Sequence, residues 1–258
     1  MHAPTHNPSL AAARPPLPRL LQAWAAMLLL TLGWDVSGAD LAVMQAIGHP
    51  DGFAWRHQWL LEVVLHDGLR RVALGLFALL GLWALWPARP GGVRPGLARR
   101  ERVVVLLLVL LSLLAVNLVK SSSRTSCPWE LQLFGGHASY VSHWNLWVGD
   151  GGGGRCFPGG HASSAFAFLA LCLPWLAPPH AAARPARRGW GVLGAVLLVG
   201  LVAGATQTLR GAHHPSHTLW TLLICGGVSL AGWYTARPWM AAGRREGRSA
   251  SQAAEPSP

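Results

Sequence analysis

Cationic and imidazole side chains stand at the ends of long apolar runs in this chain, and side chains of these types bind anions. Lys120 and Arg124 follow the apolar run 103–119. The other two clusters are Pro158, Gly159, Gly160 and His161 before the run 162–177, and Arg210, His213, His214 and His217 before the run 218–236. Lysine, arginine and histidine donors, with glycine amides at a helix start, stabilise negative charge. The clusters therefore predict a site for an anionic group, with phosphate as its natural occupant.

The composition predicts a membrane protein. Hydrophobic residues make up 52% of the 258 residues and charged residues only 12%, which is too little charge to cover a soluble domain. Uncharged apolar runs lie at 20–34, 72–87, 103–119, 162–177, 189–209 and 218–236. The longest approach the ~20 residues that a helix needs to cross the hydrocarbon core. We therefore predict an all-α polytopic membrane protein with six transmembrane helices over 19–242, flanked by polar tails at 1–18 and 243–258.

The arginines predict how these helices are oriented. A net charge of +11 would suggest a nucleic-acid partner in a soluble protein, but here the arginines crowd positions 14–19, 89–102, 184–188 and 237–248, between and beyond the apolar runs. We therefore expect contact with the lipid bilayer and no nucleic acid. The four groups fall on one side of a six-span protein, and the positive-inside rule makes that side and both termini cytoplasmic. The segments 35–71, 120–161 and 210–217 then lie on the opposite face.

The first apolar run has a second interpretation. Arg14 and Arg19, fifteen apolar residues and the small residues at 37–39 also fit a secretory signal peptide. We favour an uncleaved helix. Cleavage would leave five spans without moving the segments that carry the chemistry.

The cysteines fall into two pairs. Cys172 and Cys225 lie inside apolar runs, where a small buried hydrophobic side chain is expected. Cys127 and Cys156 lie 29 residues apart in the outward segment 120–161. In an oxidising compartment we expect these two to form a disulfide rather than to remain free thiols.

The order and spacing of the three clusters resemble the type 2 phosphatidic acid phosphatase (PAP2) superfamily. Its motifs can be written Lys-x6-Arg-Pro, Pro-Ser-Gly-His and Ser-Arg-x5-His-x3-Asp. The matching residues are Lys120 and Pro128 in the first motif, Pro158, Gly160 and His161 in the second, and His213 in the third. The resemblance covers about 103–236. It implies a divergent bacterial branch in the inner membrane, with the active site on the periplasmic face.

The chain departs from these motifs at Cys127, Gly159, Gln207 and His217. Cys127 stands where the family has its first arginine, and Gly159 replaces the serine of the second motif. Gln207 and His217 stand where the third motif has arginine and aspartate. Arg124, one helical turn before Cys127, is the candidate replacement for the first arginine.

The resemblance implies a phosphatase that uses two histidines and neither a metal nor another cofactor. His213 would attack phosphorus and form a phosphohistidine, while His161 would protonate the leaving oxygen and later activate water. His217 would replace the aspartate that orients His213. The phosphate-binding residues would be Lys120, Arg124, Arg210, Gly159 and Gly160.

The position of the clusters at membrane depth predicts a phosphorylated membrane lipid, a phosphate or a diphosphate, as the substrate. Two alternatives remain open. The phosphohistidine could pass its phosphoryl group to a second lipid, which would make the protein a phosphotransferase. The lost arginine and aspartate would also fit a non-catalytic lipid-binding protein of the same fold.

Other polar residues have less specific interpretations. A zinc site of His213, His217 and either His161 or His137 is disfavoured, because it lacks the glutamate of an HExxH helix and lies among cations. His137 and His143, with Trp144 and Trp147 nearby, predict a membrane-surface loop, which we favour over a role in binding the head group of a substrate. The segment 55–67 predicts an interfacial amphipathic helix.

The arginine distribution generates a prediction of topology. A reporter fused after Arg94 or Arg187 should be cytoplasmic, and one inserted near Gly152 should be periplasmic. The reporter's activity in intact cells measures this directly. A cytoplasmic signal at Gly152 would contradict both the orientation and the location of the site.

Overall fold

Helices make up most of the structure, a computed structural model in which residues 17–87, 96–179 and 184–253 are described. They are α1 Leu17–Val36, α2 Ala39–Ile47, α3 Leu69–Leu85, α4 Arg99–Ser122, α5 Gly160–Phe166, α6 Leu173–Leu176, α7 Ala186–Leu209 and α8 Pro215–Ala253. A π-helical segment, Leu60–Gly68, precedes α3, and a 3₁₀ segment, Ala167–Cys172, joins α5 to α6. Further short elements are the antiparallel strands β1 Gly48–His49 and β2 Gly52–Phe53 and the 3₁₀ turns Pro128–Glu130 and Gln132–Phe134.

Among the described residues, four helices are long and apolar enough to cross a membrane: Leu60–Leu85, Arg99–Ser122, Ala186–Leu209 and Pro215–Ala242. α1 and α2 meet at a bend of 66° and add a fifth span if the bent pair counts as one. The remaining predicted run lies in Gly160–Leu176, a shorter apolar helix. The fold is thus mostly helical and fits a membrane protein, while the count of six spans stays a prediction.

The helix that carries the second apolar run begins earlier than the sequence predicts. The segment 55–67 was expected as a separate interfacial helix, but Leu60–Leu85 is one continuous helix of 26 residues. Polar side chains in its first turns interrupt the apolar run in the sequence. Glu62 and His66 contact Arg210 and His161 within the protein, and polar groups that find such partners are tolerated at membrane depth.

The core lies where α4 packs against α8 and against the helical stretch that follows α5. Trp233 of α8 is completely buried, and its indole N–H donates to the carbonyl oxygen of Ala177 at 2.7 Å. α1 packs on α8 as well, because the indole of Trp24 donates to the Leu223 carbonyl at 2.9 Å. Both free cysteines, Cys172 and Cys225, are buried, as predicted.

Two of the predicted cytoplasmic arginine groups lie at the end of the bundle where α4 and α7 begin: Arg99, Arg100 and Arg102, and Arg184, Arg187 and Arg188. Arg184 forms an ion pair with Glu101 at 2.8 Å, and Arg102 donates to the carbonyl of Trp86 at 2.9 Å. Lys120 and Arg210 lie at the other ends of these two helices. Arg14, Arg89, Arg94 and most of the predicted tail 1–18 lie outside the described residues. α8 continues as far as Ala253, into the predicted tail 243–258.

The loop between α4 and α5 is folded around a disulfide and a buried carboxylate. Cys127 and Cys156 are joined, with their Cα atoms 5.1 Å apart. The carboxylate of Asp150 accepts hydrogen bonds from the backbone N–H and the hydroxyl of Ser126 at 2.6 and 2.8 Å. The two ends of the loop are therefore held together beside the predicted first and second motifs.

This loop generates a prediction about the oxidation state of the two cysteines. Closing a loop of this size contributes about 3 to 4 kcal/mol in the chain-entropy model. Mass spectrometry under non-reducing conditions should recover the peptides of Cys127 and Cys156 as one linked species, and reduction should lower the melting temperature. Two free thiols in membranes from an oxidising compartment would contradict the pairing.

Candidate active site

Three segments of the fold bring most of the predicted site residues to one end of the bundle. Lys120 lies in the last turn of α4, and His161 lies in the first turn of α5. His213 lies in the short turn between α7 and α8. Gly211 allows this turn because its φ is +76°, and a Cβ there would come within 2.2 Å of the Phe53 ring.

His213 and His217 form a buried pair across the start of α8. Their Nδ1 atoms are 3.4 Å apart, and the two residues are 5% and 0% exposed. Two ring nitrogens at this distance share one proton, so one imidazole donates and the other accepts. When His213 is the donor, its Nε2 atom carries the free lone pair that a nucleophile needs.

The surroundings of His213 favour its neutral form. Burial lowers the pKa of His213 well below its usual range, and the positive charge of Lys120 lowers that pKa further. The sulfur of Cys156 lies 3.3 Å from the Nδ1 atom of His213. The disulfide therefore packs directly against the predicted nucleophile, a contact that the sequence did not predict.

His161 lies against a second imidazole. The rings of His66 and His161 have centroids 3.9 Å apart, and the Nδ1 atom of His66 is 2.8 Å from Asp67 Oδ1. The charges of Lys120, Arg70 and Arg210 also act on His161. His161, Lys120 and Arg210 are therefore part of one electrostatic cluster.

Arg210 is held by two acceptors from the segment before α3. Its Nη2 atom donates to Glu62 Oε1 at 2.8 Å, and its Nε atom donates to the carbonyl oxygen of Arg56 at 2.9 Å. The side chain is 6% exposed. Glu62 thus fixes the guanidinium and offsets part of the positive charge of the cluster.

Lys120 runs along the backbone of the second motif. A Cβ on Gly160 would lie 3.6 Å from the Cδ and Cε atoms of Lys120. This contact places the lysine stem across the start of α5.

Two predicted phosphate-binding groups are placed differently from the expectation. The N–H of Gly159 donates to the His217 carbonyl oxygen at 3.0 Å, so this amide links the second motif to α8 and is already paired. The exposed guanidinium of Arg124 donates to the Trp147 carbonyl at 3.1 Å. The described bonds of Arg124 join it to the outer loop and not to the histidine pair, so its role as a phosphate ligand stays a prediction.

Several polar residues around the site were not predicted as site residues. Glu62, His66 and Arg70 follow each other at a spacing of four, and that helical spacing was the signal in the sequence that could have identified them. His143, expected in a membrane-surface loop, instead has a side chain only 9% exposed and stacks on Phe157 with ring centroids 4.3 Å apart. No spacing rule predicts that contact.

The arrangement can carry out nucleophilic catalysis on an anionic group. It combines a buried neutral imidazole, a second imidazole for proton transfer, and the cationic side chains of Lys120, Arg70 and Arg210. Cations close to a reacting phosphoryl group stabilise the charge of its transition state.

Comparison with known proteins confirms the resemblance. A family model described as the PAP2 superfamily matches residues 102–241, which is more than half of the chain and includes all three predicted motifs. No curated protein and no solved structure matches the chain. The chain belongs to the PAP2 superfamily.

Proposed function

We propose that this chain is a membrane phosphatase that hydrolyses a lipid phosphate or diphosphate through a phosphohistidine on His213. Members of the PAP2 superfamily are generally phosphatases. The observation that carries the proposal is the buried pair of His213 and His217 beside His161 and the cationic side chains. A pocket built only to bind lipid would not need two imidazoles sharing one proton out of contact with water.

In the first step, the Nε2 atom of His213 attacks phosphorus while the bond from phosphorus to the leaving oxygen breaks. His217 accepts the Nδ1 proton of His213 in a hydrogen bond and so keeps Nε2 unprotonated. The imidazole gains positive charge as the N–P bond forms. The orienting contact with His217 therefore matters most in the transition state.

His161 acts as an acid in this first step and as a base in the second step, the hydrolysis of the phosphohistidine. It donates a proton to the leaving oxygen and later takes one from the water that attacks phosphorus, which breaks the N–P bond and restores His213. The negative charge of a bound phosphate offsets the cations around His161. Substrate binding thus favours the protonated imidazole that the first step requires.

An apolar groove beside the site supports a lipid substrate. A cavity of about 400 Å³ lies between α3, the helical stretch after α5, and α7. Its lining includes Val72, Leu76, Phe168 and Val199. Ser164, also in the lining, lies one helical turn after His161. An acyl or polyprenyl chain in this groove would bring its phosphate to the cationic cluster.

The predicted orientation puts this site on the periplasmic face of a bacterial inner membrane. Arg102 and Arg184, from two of the predicted cytoplasmic arginine groups, lie at the opposite end of α4 and α7 from the site. The positive-inside rule assigns their end to the cytoplasm. A lipid in the outer leaflet would then reach the groove laterally.

Assays of the purified chain in detergent test this function. A phosphorylated lipid should release inorganic phosphate, His213→Ala should lower turnover by ~10³-fold or more, and His161→Ala should lower it by roughly 10²- to 10⁴-fold. The exposed His137 gives a matched control, because His137→Ala should retain activity. Transfer of phosphate only when an acceptor lipid is present would favour a phosphotransferase. If neither release nor transfer of phosphate is detected, the lipid-binding alternative is favoured.

A pair of tryptophan variants tests whether the apolar groove binds the lipid chain. Val199→Trp fills the groove and should raise KM for a long-chain lipid phosphate while leaving the hydrolysis of a short, water-soluble phosphate ester nearly unchanged. Val202→Trp, on the same helix but outside the groove lining, should affect neither substrate. Equal effects of both variants on both substrates would argue against lipid binding in this groove.

The pairing of His213 with His217 generates a prediction about pH. A neutral His217 accepts the proton of His213, whereas a protonated His217 cannot accept it and repels the developing positive charge. Activity should therefore fall on the acid side, and His217→Asp should keep activity and extend it to lower pH. His217→Ala should lower turnover by roughly 10²- to 10⁴-fold, as the loss of an orienting group does in a catalytic triad.

The pH profiles of wild type and both variants provide the measurement. His213→Ala should abolish turnover in every background. Equal activity and an unchanged acid limb in wild type, His217→Ala and His217→Asp would show that His217 does not orient the nucleophile.

A further inference from the structure

Two carboxylates and an imidazole meet behind His217, away from the proposed phosphate site. The ligand atoms of Asp35, Asp40 and His143 all lie within 4.8 Å of one another. Asp35 lies in the last turn of α1, Asp40 lies in the first turn of α2, and His143 comes from the loop between α4 and α5. The side chains of Asp35 and His143 are 3% and 9% exposed, and Asp40 is 7% exposed.

Neutral donors satisfy part of this cluster. Asp40 accepts hydrogen bonds from the backbone N–H and hydroxyl of Ser216 and from the indole of Trp34. Asp35 Oδ2 accepts from the indoles of Trp220 and Trp144 at 2.8 and 3.2 Å. These donors carry no full charge, so they leave the two negative charges uncompensated.

Several buried atoms of the cluster lack a hydrogen bond. Asp35 Oδ1 and His143 Nε2 have none among the described residues, although His143 Nε2 lies 3.3 Å from Asp35 Oδ2. Nδ1 of the neighbouring His214, a residue 3% exposed, has none either. An uncompensated polar atom in the interior is costly, and three of them beside two carboxylates indicate a missing positive partner.

Protonation of His143 would supply only one positive charge against two carboxylates. Neutral imidazoles are the form that binds metal ions.

We propose that Asp35, Asp40 and His143 bind one divalent transition-metal ion of the zinc type. Two carboxylates neutralise the charge of the ion, which a buried site requires. Imidazole ligands select zinc and its neighbours over magnesium and calcium, which prefer oxygen ligands. At metal–ligand distances of about 2.0 to 2.2 Å, tetrahedral ligand atoms lie roughly 3.3 to 3.6 Å apart. The ligand atoms of this cluster lie within 4.8 Å of one another, so small side-chain movements would bring them to these distances.

The role of this ion is to position residues and not to take part in the reaction. The cluster is tied to the start of α8 through Ser216 and Trp220, which flank His217. The ring of His143 lies edge-on to the ring of His217 with centroids 6.0 Å apart. An ion at Asp35 and Asp40 would therefore lock the bend between α1 and α2, the outer loop and the orienting histidine together.

A second group of potential ligands is a poorer candidate for a metal site. Cys127, Cys156 and His213 also lie within 4.8 Å of one another, but the two sulfurs are bonded in the disulfide. A disulfide sulfur is a poor ligand, because metals bind the thiolate form.

The metal content of the full-length protein, purified in detergent without a histidine tag, tests the proposal. We expect about one zinc ion per chain, and Zn²⁺ should raise the melting temperature of the chelator-treated protein. Asp35→Asn and His143→Ala should weaken Zn²⁺ binding by at least about 10- to 100-fold. The exposed residues Asp51 and His137 give matched controls, and Asp51→Asn and His137→Ala should bind like wild type.

Metal-binding measurements on the wild-type protein test the proposal even if a variant fails to fold. Wild type that neither retains zinc nor binds added Zn²⁺ or Co²⁺ in a titration would overturn the proposal. Equal binding by wild type and Asp35→Asn would overturn the assignment of the ligands. Because bound metal is the readout, neither result depends on whether the chain is a phosphatase.

Discussion

The contact between His213 and His217 constrains the rest of the site. Two imidazoles whose Nδ1 atoms are 3.4 Å apart can share one proton, but they repel each other if both are protonated. Their surroundings must therefore disfavour extra protons, and burial beside Lys120 does so for His213. The same cation is suited to bind phosphate. One electrostatic requirement thus explains both a neutral His213, the proposed nucleophile, and an attractive site for an anion.

The cationic side chains of the site have to be held in place by the surrounding structure. Arg210 is fixed by Glu62 and by the carbonyl of Arg56, so it is held in place before any anion binds. The N–H of Gly159 fixes the second motif to the carbonyl of His217. Groups held in this way lose little entropy when substrate arrives, which is how preorganised cations contribute to catalysis.

The sequence predicted the residues that lie at the ends of apolar runs. Lys120, His161 and His213 could be identified because an apolar run fixes where a helix ends, and residues at helix ends on one side of a membrane lie close together. Asp35, Glu62 and His143 could not be identified in this way. Asp35 and Trp220 are 185 positions apart in the chain, and Glu62 and Arg210 are 148 apart. Contacts of that range depend on how whole helices pack, which the local pattern does not contain.

The prediction of a separate interfacial helix over 55–67 was wrong for a related reason. Hydropathy treats Glu62 and His66 as interruptions of an apolar run, because it scores each side chain against lipid or water. Both instead face polar partners inside the bundle. The sequence also could not show that the N–H of Gly159, predicted to bind phosphate, donates to the carbonyl oxygen of His217 in α8.

The acidic residues closest to the site lie outside the matched region. The matched region 102–241 contains two acidic residues, Glu130 and Asp150, and both bind backbone N–H groups of the outer loop. The carboxylates around the site come instead from Asp35, Asp40 and Glu62, before the matched region. Glu62 fixes Arg210, and Asp40 binds the start of α8 through Ser216, so the amino-terminal segments help to position the residues of the site.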